Sequence, residues 1–190
     1  LGPRLNAVGR LGKADAAVEL LCTSDRNRAE SLAIALDELN QERQELTKRI
    51  AQEAEAMAVA NGFDQDDRRC VILCGDDWHP GVVGIVASRM VERFGRPAIL
   101  LSREDNVLRG SARSIDGYSI HAGIASAKAH VQKFGGHDMA AGLSMAADQF
   151  EAFTDAVLQH AQCINPEDLT PALRVGADAN LAEINVDLIQ

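Results

Sequence analysis

Apolar residues follow two rhythms along this chain, and the change between them falls near residue 65. From Arg26 to Asn61 no glycine or proline interrupts the sequence, and Leu32, Leu36, Leu39, Leu46, Ile50 and Met57 recur at threes, fours and sevens. Glu38, Glu42, Arg43, Glu45, Lys48, Arg49 and Glu53 crowd the other face. That period predicts one amphipathic helix, opened by the capping cluster Thr23-Ser24-Asp25. Its length is about 50 Å at 1.5 Å per residue, more than a compact domain of this size needs. Arg43 and Glu53 fall in the heptad seam. They weaken a coiled-coil reading and favour a helix that connects two units.

Beyond Arg69 short apolar runs bounded by turn residues take over. They predict strands at 70–74, at 98–101 after Arg96-Pro97, at 107–114 and at 140–146. Helical spacing predicts helices at 82–94, at 119–134 and at 150–163, the last with Phe153, Val157 and Ala161 inward. Before the long helix, residues 1–12 are punctuated by glycine and lead into a short helical pattern from Ala14 to Cys22. Residues 64–68 and 165–171 have the composition of linkers, and the tail after Leu173 resembles the first strand of a further, truncated domain. The fold class that follows is α/β: a mixed sheet flanked by helices, preceded by a long connecting helix.

Composition narrows the class. The chain has 190 residues, 46% of them hydrophobic and 25% charged, enough for a real core, and only 4% aromatic, which argues against a surface built for stacking bases. No apolar run approaches a membrane span. The opening Leu1-Gly2-Pro3-Arg4 has neither an initiator Met nor a signal pattern, so the expectation is a cytoplasmic piece of a longer protein. Cys22, Cys70, Cys74 and Cys163 include no C-x-x-C pair, and Cys70 and Cys74 alternate onto one strand face, as buried reduced thiols do. A net charge of −9 argues against a polyanion partner until its distribution is considered. From Arg89 to Lys133 eight Lys or Arg stand against four Asp or Glu, a local excess of +4. A basic patch on an acidic body follows.

Within that patch lie the groups able to do chemistry. In Arg109-Gly110-Ser111-Ala112-Arg113-Ser114, residues 109, 111 and 113 share one strand face, where two guanidiniums and a hydroxyl could converge on an anion. An exposed edge with solvated arginines is an equal alternative. Phe134-Gly135-Gly136-His137, ahead of Ala140-Ala141-Gly142, reads first as a helix stop; the second glycine and the imidazole add a backbone cradle with an adjustable charge. Asp76-Asp77-Trp78-His79-Pro80-Gly81 joins a strand end to a helix start, where α/β sheets hold ligands. There Trp78 is twice as well explained by packing as by stacking a base, and His79 is ambiguous. The five histidines are scattered with no carboxylate motif, and neither a Walker loop nor a nucleophile elbow occurs. By its residues alone the chain is a phosphate-binding α/β module without a catalytic centre of its own.

Four segments, Pro3-Arg4-Leu5-Asn6-Ala7-Val8-Gly9-Arg10-Leu11, residues 78–89 from Trp78-His79-Pro80-Gly81 to Ser88-Arg89, Arg109 to Ser114, and Gly135-Gly136-His137-Asp138-Met139-Ala140-Ala141-Gly142, resemble in order and spacing the RecJ exonucleases of the DHH phosphoesterase superfamily. The resemblance implies that residues 1–12 end an upstream DHH catalytic domain, 13–67 form the helical connector, 68–165 are the DHH-associated substrate-binding domain, and 166–190 lead into an OB-fold. It implies degradation of single-stranded DNA from a 5′ phosphate, in recombination and repair, by a Mn²⁺ or Mg²⁺ pair held upstream. This piece would bind no metal and be inactive alone. Ser111 and Arg113 would hold the terminal 5′-phosphate, Gly135, Gly136 and His137 a phosphate near the cut, and Arg4, Asn6 and Arg10 would line the cleft. His79 and Arg109 complete the candidate phosphate ligands. A single-strand-binding protein is a further expected partner, and a membrane is not. The alternatives are a DHH-type oligoribonuclease or cyclic-dinucleotide phosphodiesterase, and a non-catalytic nucleic-acid-binding module.

Overall fold

A computed structural model describes residues 2–12, 14–63, 65 and 68–169. In chain order the elements are α1 (Gly2–Leu11), α2 (Asp15–Cys22), α3 (Arg26–Ala60), β1 (Val71–Gly75), α4 (Pro80–Phe94), β2 (Ala98–Glu104), β3 (Val107–Arg113), α5 (Ile120–Ser126), β4 (Lys133–His137), β5 (Ala140–Ala146) and α6 (Phe150–Ala161). The five strands make one mixed sheet in the order β1-β2-β3-β5-β4. Only β1 and β2 run parallel, as the α4 crossover between them requires; the other pairs are antiparallel.

Local chemistry explains the boundaries. The Asp25 carboxylate accepts hydrogen bonds from the amides of Asn27 and Arg28, at 2.9 and 3.3 Å, and opens α3. Pro80 starts α4 and Gly95, at φ 64°, ends it. Ser119 caps α5 by accepting from the Ala122 amide at 3.1 Å.

Strand alternation sorts the core into two layers. Ile72, Ile99, Leu101, Leu108, Ala112, Ala141, Leu143 and Met145 face α5 and α6, where they meet Ile120, Ile124, Phe153, Val157 and Ala161. Val71, Leu73, Ala98 and Leu100 face the other way, onto α4 and the C-terminal half of α3. The buried stripe of α3, Leu32, Leu36, Asn40, Thr47, Ile50, Ala54 and Ala58, lies on one face and is used within the chain. Its N-terminal half takes α1 and α2, and its C-terminal half takes α4 and β1. Buried Arg96 locks the end of α3 to the sheet by donating to the carbonyls of Phe63 and Gln65 at 2.7 and 2.9 Å.

Two expectations change. The helix expected over 119–134 stops at Ser126, and after a short 3-10 turn the chain enters strand β4. All five β4 residues are exposed, so this edge strand carries no apolar alternation to announce it. Gly135-Gly136 is therefore part of a strand and not a helix stop. Residues 2–11 form a helix despite two glycines, because Ala7 and Val8 are buried while Gly2 and Gly9 face open space. Trp78 packs in the second layer, 3% exposed and so close over Gly75 that a β-carbon there would strike the indole. That is the packing reading favoured for Trp78 from the sequence. The expected strand after Leu173 lies outside the described residues.

Cys70 and Cys74 share one face, as the alternation implied, with Cys70 fully buried and Cys74 half-buried. Burial pushes the Cys70 thiol from 9.0 up to about 12. The folded state therefore holds this proton more tightly than the unfolded chain, and the stability it confers is intact below pH 9 and lost as pH rises toward 12. Alkaline denaturant titrations should show a steeper loss of stability for the parent than for Cys70→Ala across that window. A thiol reagent at neutral pH should label exposed Cys22 and Cys163 at once, and Cys70 only on unfolding.

Candidate functional site

The helices cover only part of the sheet face that meets α4. β1, β2 and the Ser111–Arg113 end of β3 lie beneath α3 and α4, whereas β5, β4 and the Arg109 end of β3 leave that face open. Strand register lays three cross-strand rows across it. Arg113, Ala140 and His137 form the first, Ser111, Gly142 and Gly135 the second, and Arg109, Ser144 and Lys133 the third. The central row has almost no side chains, and nothing lies within 4 Å of where a Gly135 β-carbon would stand. The result is a smooth trough between two basic rails.

The first rail is closed by helices. Gly84 brings α4 down onto β3 so tightly that a β-carbon there would lie 3.1 Å from an Nη of Arg113 and 3.3 Å from Ser111 Oγ. Gly81 does the same for α1, whose Arg10 carbonyl packs where its side chain would be. The Arg10 guanidinium donates to the Gly81 carbonyl at 3.2 Å, and that of Arg113 donates to the Ala112 carbonyl at 2.8 Å. Neither has a carboxylate partner among the described residues. Burial first, then the charge of Arg10, lowers the pKa of Arg113 below the ordinary arginine value. Two cations near each other without a counter-ion, next to a free hydroxyl, are an arrangement chemically suited to an anion.

The remaining candidates divide. Asn6 and Arg10 line one hollow with Gly81, at the seam of α1 and α4. Arg4 turns the other way and ion-pairs with Asp37 of α3. The His79 imidazole caps α4, its Nδ1 accepting from the Gly81 amide at 3.0 Å. His137 Nδ1 accepts from the Met139 amide at 3.3 Å, which leaves Nε2–H as the free donor. Arg109 shares the face of Ser111 and Arg113 but not their anion, because its Nε donates to Glu104 at 3.1 Å, away from α4. One strand face thus carries two divergent guanidiniums, which decides between the two equal readings against convergence of Arg109 and Arg113.

Reasoning from the sequence did not single out Ser144 or Gly84, and took Lys133 only as part of the basic stretch and Gly142 only as one of the small residues after His137. Gly84 had a signal: a mid-helix glycine costs about 1 kcal/mol against alanine and calls for a packing reason. The place of Lys133 on the face of Arg109 and Ser144 showed only with the pairing of β4 to β5. Among the described residues no group of three or more His, Cys, Asp or Glu comes together to hold a metal ion.

Residues 67–162 match the DHHA1 domain. The chain belongs to the DHHA1 domain family. This DHHA1 chain is 39% identical over its whole length to 24% of the single-stranded-DNA-specific exonuclease RecJ of Bacillus subtilis. Over 80% of its length it is 39% identical to 28% of the Escherichia coli protein of the same name. It thus spans about a quarter of the length of these curated relatives. In three dimensions it superposes on RecJ from Thermus thermophilus in complex with Mn²⁺ with a TM-score of 0.78 and 34% identity, over 86% of this chain and 24% of that one. An exonuclease RecJ bound to manganese gives 0.77 and 34%, over 87% and 40%.

The two glycines of β4 should respond oppositely to substitution. Gly136 sits at φ 148°, and a β-carbon there would collide with the Ala140 carbonyl, whereas Gly135 has open space. Urea unfolding should show Gly136→Ala destabilised by about 1–3 kcal/mol and Gly135→Ala unchanged or stabilised by up to about 1 kcal/mol.

Proposed function

We propose that this chain is the substrate-binding part of a 5′-to-3′ single-stranded-DNA exonuclease, with residues 68–165 as its DHH-associated domain, residues 13–67 as the connector and residues 1–12 as the tail of the catalytic domain. The observation that carries the reading is the Arg10–Arg113 pair beside Ser111, two unpaired cations at the closed end of an open trough. A terminal phosphate monoester is the best match for such an end. It presents more negative charge than an internal diester, and its three free oxygens suit a fork, a second fork and a hydroxyl.

Smoothness favours a single strand over a duplex. The glycine row leaves room for a chain to lie on backbone, and the flanking His137 donor falls on the same rail as Arg113. Holding the leading phosphate sets which end is degraded, and fixing the strand relative to a hydrolytic centre is where such a domain contributes to rate. Hydrolysis itself belongs to a Mn²⁺- or Mg²⁺-dependent centre supplied by other parts of the protein; the support is the similarity to RecJ, of which two structures hold manganese. A cytoplasmic setting fits this reading. So does a single-strand-binding protein as a partner. No helix among the described residues is long and apolar enough to cross a membrane.

The test is a comparison of 5′-phosphorylated and 5′-hydroxyl oligonucleotides on the full-length protein. The parent should prefer the phosphorylated end, and Arg113→Ala should lose about tenfold or more of that preference, the size of one charge-assisted hydrogen bond. Equal affinity of the parent for the two ends sinks the assignment.

A further inference from the structure

The third row of the open face lies apart from the terminal-phosphate position. Arg109, Ser144 and Lys133 sit side by side on β3, β5 and β4, and with Gly135 and Gly142 they line a shallow hollow of their own. The Lys133 ammonium and the Ser144 hydroxyl have no hydrogen-bond or ionic partner among the described residues. Arg109 is fastened only through Nε, to Glu104, so both of its terminal nitrogens remain as donors. Arg109 stands four residues before Arg113 on the same strand, about 13 Å away at strand rise. The two guanidiniums also turn in opposite directions, one toward Gly84 and the other toward Glu104. One phosphate cannot satisfy both.

We infer that Arg109, Ser144 and Lys133 form a second anion site, which takes an internal phosphodiester of the same strand whose end is held by Arg10, Ser111 and Arg113. The inference rests on the strand-binding reading above, and it adds a length requirement to it. A mononucleotide reaches only the first position, whereas a strand of several nucleotides crosses the glycine trough and reaches both. Glu104 has two effects here. It aims the Arg109 guanidinium along the rail, and its charge opposes an incoming phosphate, so the site is weakened by its own positioning group.

Fluorescence anisotropy on the full chain in a chelator, with 5′-phosphorylated thymidine mononucleotide and 5′-phosphorylated oligothymidylates of increasing length, tests this. For the parent, affinity should rise once the strand spans the trough. The double variant Arg109→Ala, Lys133→Ala should lose that gain, about tenfold or more on long strands, with the mononucleotide unaffected. Its log K against log salt slope on long strands should flatten by about 0.7, because one phosphate fewer is neutralised by the protein. Glu104→Gln should tighten long strands and leave the mononucleotide unchanged. Both sets of side chains are exposed, and a melting curve confirms that each variant is folded. Unchanged long-strand binding by the double variant overturns the second site, as does an equal loss on mononucleotide and long strands. Failure of the parent to distinguish 5′-phosphate from 5′-hydroxyl, with the length-dependent loss intact, overturns the terminal-phosphate reading and leaves this one standing.

Discussion

The close approach of α4 to β3 at Gly84 is the constraint on which the rest of the site depends. Because that position has no side chain, the helix rests directly against Ser111 and Arg113 and turns a flat strand face into a walled one. The same approach positions the start of α4 at Gly81, where the end of α1 packs and delivers Arg10. Glycine in mid-helix is intrinsically unfavourable, so the helix has given up local stability for proximity. It recovers that loss through the second core layer, in which Val82, Val83, Val86, Ala87 and Met90 are buried against the sheet and α3.

Electrostatics follow from this packing more than from composition. Several cations in the basic stretch are already neutralised or structural: Arg93 pairs with Glu55, Arg103 with Asp76, and Arg96 is buried against the end of α3. Of the cations without an ionic partner among the described residues, Arg113 and Lys133 stand at opposite corners of the strand face, while Arg89 lies on α4 and Lys128 on the turn after α5. The local charge excess is thus reduced by ion pairs that form only in the fold. An acidic body around it favours discrimination, since only an anion that reaches the rails gains what the rest of the surface repels.

The long helix serves two partners in succession. Its N-terminal half carries α1 and α2, and its C-terminal half builds the second core layer under α4. Because α1 touches both α3 and α4, the Arg10 end of α1 is fixed with respect to β3 rather than trailing from the helix. A connector that only spanned a gap would not need this three-way packing.

Periodicity alone determined the long helix, the alternation that buries Cys70, four of the five strands and the inward face of α6, because each has a buried side whose rhythm is written in apolar residues. It also put residues 109, 111 and 113 on one face. Four short segments, in order and spacing, carry the resemblance to a family. Tertiary structure decided what periodicity could not carry. β4 is exposed on both faces and had no rhythm to read, so the strand that supplies Gly135, His137 and Lys133 emerged only through its pairing with β5. Direction was equally out of reach: Arg4 leaves the cleft for Asp37, His79 becomes a cap, and Arg109 turns to Glu104 because each partner is brought close by folding and not by spacing. A residue's type and strand parity are local properties, but the atom it meets belongs to another element, and only packing brings the two together.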